Sequence, residues 1–162
     1  MVPFSQEEKE ARLADILFLP RMLEYAVLNL NDDQIQTPYR EGGWTVNQVI
    51  HHVADSHMNA FIRFKLGLTE DNPTIKPYIQ SAWGDTADVT AVPVNLSITL
   101  LHSLHHRWYE LLKTITDEQW ERTIYHPEQE RKITLWELLL IYAWHGKHHA
   151  AHVTNLREQM GW

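Results

Sequence analysis

Four times in this chain a serine or threonine stands three residues ahead of a glutamate or glutamine: Ser5-Gln-Glu-Glu8, Thr45-Val-Asn-Gln48, Thr116-Asp-Glu-Gln119 and Thr134-Leu-Trp-Glu137. Each is a capping box, in which the hydroxyl accepts from a backbone N–H of the first turn and the acidic or amide side chain reaches back to the cap. Such a pair satisfies donors that a helix start leaves orphaned, so it marks where a helix begins. Behind the first box, Leu13, Ile16, Leu17, Leu19, Met22, Leu23, Ala26, Val27 and Leu30 keep helical spacing. Pro20 is expected to break or bend that helix, because proline lacks an N–H and its ring crowds the preceding turn.

The second box opens a helix whose apolar stripe is Val46, Val49, Ile50, Val53, Ala60, Phe61 and Phe64, with Trp44 stapled onto Val49. A third helix, from about Val94 to Thr114, carries Leu100, Leu101, Leu104, Trp108, Leu111 and Leu112 on its core face. The fourth runs from Thr134 to about Gln159, with Ile133 and Leu138 as its staple. Four long amphipathic helices predict an all-α four-helix bundle, a single domain over residues 1–162. Asn31-Asp-Asp-Gln34 reads as a turn or one-turn helix, and the Thr116 box opens another short turn of helix. Gly67 to Pro93 has no sustained period and reads as a long loop between helices 2 and 3, functional or mobile. Thr123 to Ile133 has β-type residues flanking a polar turn and predicts a small hairpin before the last helix.

Composition narrows the function. A net charge of −7 argues against nucleic acid, which needs Lys and Arg gathered on one face. With no cysteine there is no disulfide, thiolate nucleophile or Cys-ligated metal. The N-terminus lacks an apolar signal-peptide core and no uncharged apolar run could span a bilayer, so no membrane partner and a cytoplasmic location are expected. What stands out is 11 histidines in a chain of 162 residues.

Four of them fall in Tyr142-Ala-Trp-His-Gly-Lys-His-His-Ala-Ala-His152. Residues four apart share a helix face, so His145 with His149, and His148 with His152, are pairs that could grip one metal ion. His145, His149 and His152 follow one stripe, while His148 points off it. A catalytic zinc-type site takes three protein ligands and leaves a position open. The remaining donor is sought in Ile50-His-His-Val-Ala-Asp-Ser-His57. There His52 lies at an edge of the apolar stripe with Ser56, Asn59 and Arg63, His51 points nearly opposite, and His57 falls within the stripe. Spacing alone does not choose between His51 and His52, nor among the four C-terminal histidines. Trp44, Trp108, Trp136 and Trp144 read as core anchors, and Asp55 as a solvated helix charge. Arg40 is a candidate for holding a substrate anion, and Arg63 and Arg107 are candidate supports of the site. Gly146 stands where a His-Glu-x-x-His metalloprotease carries its general base, so that mechanism is excluded.

Over almost its whole length the chain resembles the DinB-like four-helix bundles, and among them the YfiT-like branch. The resemblance rests on Pro38 to Ala60, Leu68 to Tyr78, Leu104-His-His-Arg-Trp108 and Tyr142 to His152. It implies one divalent metal per subunit, zinc or nickel, on three histidines of two helices, which fall here on His52, His145 and His149. His148, His152, His105 and Arg107 then become neighbours of the site. It implies a metal-dependent hydrolase of a small-molecule substrate, acting as a homodimer, with the open position holding an activated water. Related members imply an alternative, a bacillithiol-type low-molecular-weight thiol S-transferase in which the same metal activates a thiol. A third reading is a closed, non-catalytic metal or small-ligand site, for which His152 is the candidate fourth ligand.

Overall fold

The computed structural model describes residues 4–162. Its long helices are α1 (Gln6–Val27), α3 (Val46–Thr69), α6 (Val94–Lys113) and α8 (Leu135–Met160), with short helices α2 (Asp32–Ile35), α4 (Gln80–Gly84), α5 (Ala87–Ala91) and α7 (Asp117–Trp120). Strands β1 (Thr123–His126) and β2 (Arg131–Thr134) form the expected antiparallel hairpin. Reciprocal capping bonds form at Thr45, Thr116 and Thr134, and a further box forms at Asn31. Ser5 accepts from the Glu8 N–H, but Glu8 does not complete the box.

The expected break at Pro20 does not occur: α1 runs through it, and Pro20 is buried. The helix ends earlier than its apolar pattern, at Val27, where Asn29 takes a left-handed φ of 63°. Leu100, read as core, is exposed, and so is Trp144.

The directions of the four rods follow from which residues meet. Along α1 and α6 the partners run in opposite order: Lys9 reaches the Ile115 carbonyl, Ile16 meets His105, and Glu24 meets His102. Along α3 and α6 they run in the same order, His51 with Ser97 and His57 with His105. α8 runs against α3, since His52 meets His145 and Arg63 meets Tyr142, and with α1, since Asp15 meets Lys147 and Ala26 meets Arg157. The order is therefore up, down, down, up, with each of α1 and α3 flanked by α6 and α8.

Two consecutive parallel rods require a connection that returns the full length of the first. At ~1.5 Å per residue, α3 is roughly 36 Å long, and Glu70 to Pro93 covers that distance back. This explains the long aperiodic stretch, which is neither structureless nor loose. Near its start a single parallel bridge sets Thr74 beside Tyr125 of β1, with Ile75 N donating to Tyr125 O at 3.0 Å. It carries α4 and α5 and is pinned on the start of α3, where the Asn47 amide donates to Val89 O and Gln48 Nε2 to Gly84 O at 3.1 Å.

The buried apolar side chains form two clusters. One holds Leu13, Ile16, Phe64, Trp108, Leu139 and Ala143 among others, and the second Leu19, Leu23, Val53, Leu101, Ala150 and Val153. On α3, α6 and α8 the stretches between the two carry histidines: His57, His105, and His145 with His149. A layer of imidazole divides the core.

Candidate metal centre

His52 sits nearly two turns into α3, and the Thr45 box that starts this helix sets its phase. His145 and His149 stack on one face of α8, ring centroids 4.4 Å apart. Because α3 and α8 are antiparallel neighbours, the His52 ring comes to 5.2 Å from His145 and 4.8 Å from His149. One nitrogen from each of the three rings lies within 4.8 Å of the other two, the one such group among the described residues. His52 Nε2 and His145 Nε2 are 3.2 Å apart.

Burial holds all three imidazoles neutral at ordinary pH. His52 is pushed down to about 4 by desolvation, and His145 to about 3 and His149 further still by desolvation first and then by neighbouring histidines. Neutral imidazole is the form that offers a lone pair. His149 Nδ1 is buried without a hydrogen-bond partner, a deficit of about 1–3 kcal/mol in the metal-free fold. Zinc–nitrogen bonds of ~2.0–2.1 Å need donor nitrogens somewhat closer than the widest pair here. The donor set fits a divalent metal.

The other candidates are placed as follows. His51 is not at the centre: its Nε2–H donates to Val92 O at 3.2 Å and its Nδ1 accepts from Ser97 at 2.7 Å, tying α3 to the connection and α6. His148 and His152 lie against aromatic rings instead, His148 stacked on Trp144 at 4.5 Å and His152 on Tyr39 at 4.0 Å. The three-ring group does not include His152. Arg40 lies over the Tyr39 ring and its Nε donates to the Tyr39 hydroxyl at 3.1 Å. Arg107 is exposed, its guanidinium 5.4 Å from the Phe61 ring centre, and takes no part in the centre. Arg63 donates to the Tyr142 hydroxyl at 2.7 Å, beneath His145. Asp55 is half-buried rather than solvated, its carboxyl raised to about 6 by burial and then by Asp88.

One residue placed on the apolar stripe by the sequence reading was given no role there. His57 is fully buried and lies between the His105 and His145 rings, within 3.2 Å of both. The signal was its place on the apolar stripe of α3, where a polar group must find a partner. His145 and His149 also line a cavity of about 350 Å³ with Arg40, Trp44, Trp144 and His152. A neighbouring cavity of about 450 Å³ shares Tyr39, Arg40, His148 and His152. No carboxylate lines either space among the described residues, although the chain carries a net charge of −7.

A helix bundle that gathers three imidazoles from two adjacent rods beside a cavity has the donor set of a metal-binding protein. The chain is a member of the DinB superfamily, which it matches over residues 16–153. It is 48% identical over 158 residues to the Bacillus subtilis protein named "Putative metal-dependent hydrolase YfiT", covering 98% of this chain and 89% of that one. A like-named protein of Geobacillus kaustophilus is 48% identical over 159 residues, with the same coverage. The solved structure of YfiT, described as "a probable metal-dependent hydrolase with an unusual four-helix bundle topology", superposes with a TM-score of 0.96 over 98% of this chain and 91% of its own. A mycothiol-dependent maleylpyruvate isomerase superposes with a TM-score of 0.70 at 17% identity, over 90% of this chain and 60% of its own, and shares the fold. No helix of the described residues is long and apolar enough to cross a membrane.

Proposed function

We propose that this protein is a metal-dependent hydrolase of a small molecule bearing an anionic group, and that His52, His145 and His149 hold its single divalent ion, zinc in the first instance. The observation that carries this reading is the convergence of three neutral imidazoles, two of them on the wall of a cavity, with no fourth His, Asp or Glu in the group among the described residues. A structural zinc closes its shell with four ligands, whereas a catalytic one keeps a position free. When bound, the ion acts as a Lewis acid and lowers the pKa of a water in that free position toward neutrality.

The chain's own residues do the rest. Trp44 and Trp144 wall the cavity and restrict solvent around the reacting centre. Arg40, the one full positive charge in the lining, binds the anionic part of the substrate. His152 holds the Tyr39–Arg40 loop in place through its stack on Tyr39.

The test is metal content and turnover together. His149→Ala should leave a folded bundle without stoichiometric zinc, and full loading of that variant refutes the ligand set. A panel of carboxylate-bearing esters and amides, assayed with and without a low-molecular-weight thiol, then separates the chemistries. Thiol-independent hydrolysis supports the proposal. Turnover only with the thiol replaces it with the S-transferase, which rests on the same three histidines.

A further inference from the structure

Behind the candidate centre, three histidines form a continuous chain of hydrogen bonds. His145 Nδ1 lies 3.2 Å from His57 Nε2, and His57 Nδ1 lies 3.0 Å from His105 Nε2. His105 Nδ1 meets the Ile16 carbonyl oxygen on α1. The His57 and His105 rings are stacked, centroids 4.9 Å apart and planes 14° from parallel, and both are fully buried.

The far end of this chain dictates the near end. A carbonyl oxygen can only accept, so His105 must carry its proton on Nδ1. In a neutral ring Nε2 is then bare and accepts from the His57 Nδ1–H. That leaves His57 Nε2 bare in turn, so it accepts from the His145 Nδ1–H. His145 Nε2 is therefore left with a free lone pair, and it is this nitrogen that faces His52 Nε2. Burial disfavours the charged form of each ring and keeps the sequence of donors and acceptors consistent.

We propose that His57 and His105 are positioning residues which relay the polarity of the Ile16 carbonyl through two rings, fixing His145 in the tautomer and orientation that present Nε2 to the metal. A metal-bound imidazole generally donates its other N–H to a carboxylate or carbonyl. Here the acceptor is an imidazole, and the carbonyl is two rings removed. The inference rests on the proposed ligand role of His145 for its consequence, although the tautomers themselves do not depend on it.

Two substitutions at His105 separate the relay from simple packing. His105→Leu fills the space but gives His57 Nδ1–H no acceptor. His105→Gln keeps an acceptor for His57 and a donor for Ile16 on one amide. Ring nitrogen shifts and couplings of the 15N-labelled full chain, with and without Zn2+, should show Nδ1–H in His57, His105 and His145 throughout. Zinc affinity, measured against a chromophoric chelator, should fall about 10–100-fold in His105→Leu and return to within about threefold of the parent in His105→Gln.

An Nε2–H tautomer at His57 or His105 in the parent chain overturns the proposal even if His105→Leu fails to fold, and so does unchanged zinc affinity in a folded His105→Leu. Absence of zinc binding in the parent, with the tautomers as stated, would sink the metal reading and leave the relay standing.

Discussion

Gly146 lies against the isopropyl end of Leu19, so close that a β-carbon at 146 would fall inside van der Waals contact with both Leu19 methyls. Leu19 is 2% exposed and cannot swing into solvent. The residue after His145 thus faces α1, on a different side of α8 from the metal ligands. A glutamate there, as in a His-Glu-x-x-His enzyme, would drive a carboxylate into the packing of two helices. The missing general base is a consequence of how α1 and α8 meet.

This contact gives a prediction with a change of sign. In the parent chain Gly146→Ala should destabilise, because overpacking of about 1–3 kcal/mol outweighs a helix-propensity gain of about 1 kcal/mol. In a Leu19→Ala background the space exists, and the same substitution should stabilise by about 1 kcal/mol. Urea denaturation of the four proteins checks it; equal effects in both backgrounds would mean the Leu19 contact is not what glycine serves.

Metal should hold the bundle together where the imidazole layer splits its core. Zinc at a hundred times its dissociation constant should add about 2.7 kcal/mol, and excess chelator should remove it. A thermal unfolding scan with each reads the difference. His52→Ala, which takes away the α3 ligand, should unfold at the same temperature with and without zinc.

Acid should weaken the metal-free fold through His105. Its pKa is lowered to about 4, by burial first, with the Ile16 carbonyl pulling the other way. The unfolded chain takes up this proton near the ordinary value of 6.5, while the folded chain refuses it until about 4. The cost is absent above the unfolded value and grows as pH falls between the two, by about 1.4 kcal/mol per unit for one group. His105→Gln should remove one proton's worth of slope from stability measured between pH 7 and 5. An unchanged slope would show that His105 is not buried neutral.

Arg40 should matter to the substrate and not to the metal. Arg40→Ala should raise KM for a carboxylate-bearing substrate about tenfold or more, as loss of one charge-assisted hydrogen bond implies, while neutral analogues and zinc content stay as they were. Equal effects on charged and neutral substrates would remove Arg40 from anion recognition.

Much of the scaffold was legible from local signals. Three of the four long helices are announced by threonine or serine caps at Ser5, Thr45 and Thr134, and the hairpin by β-type residues around a polar turn. Pro20 did not break the first helix, which runs through it with the proline ring buried. Trp144 misled: it is exposed, its ring lying over His148 at the cavity wall instead of in the core. The aperiodic Glu70 to Pro93 segment could not be understood without knowing that α3 and α6 run in parallel.

The divide follows the range of the forces. Caps, helical period and the pairing of His145 with His149 act within about four residues, so the chain's order of amino acids determined them outright. Which rods become neighbours, in which direction, and hence that His57 bridges His105 to His145, depends on how four apolar stripes bury one another. Burial has no preferred direction and is summed over the whole molecule, so only the folded arrangement decided that a carbonyl on α1 should govern a ring nitrogen on α8.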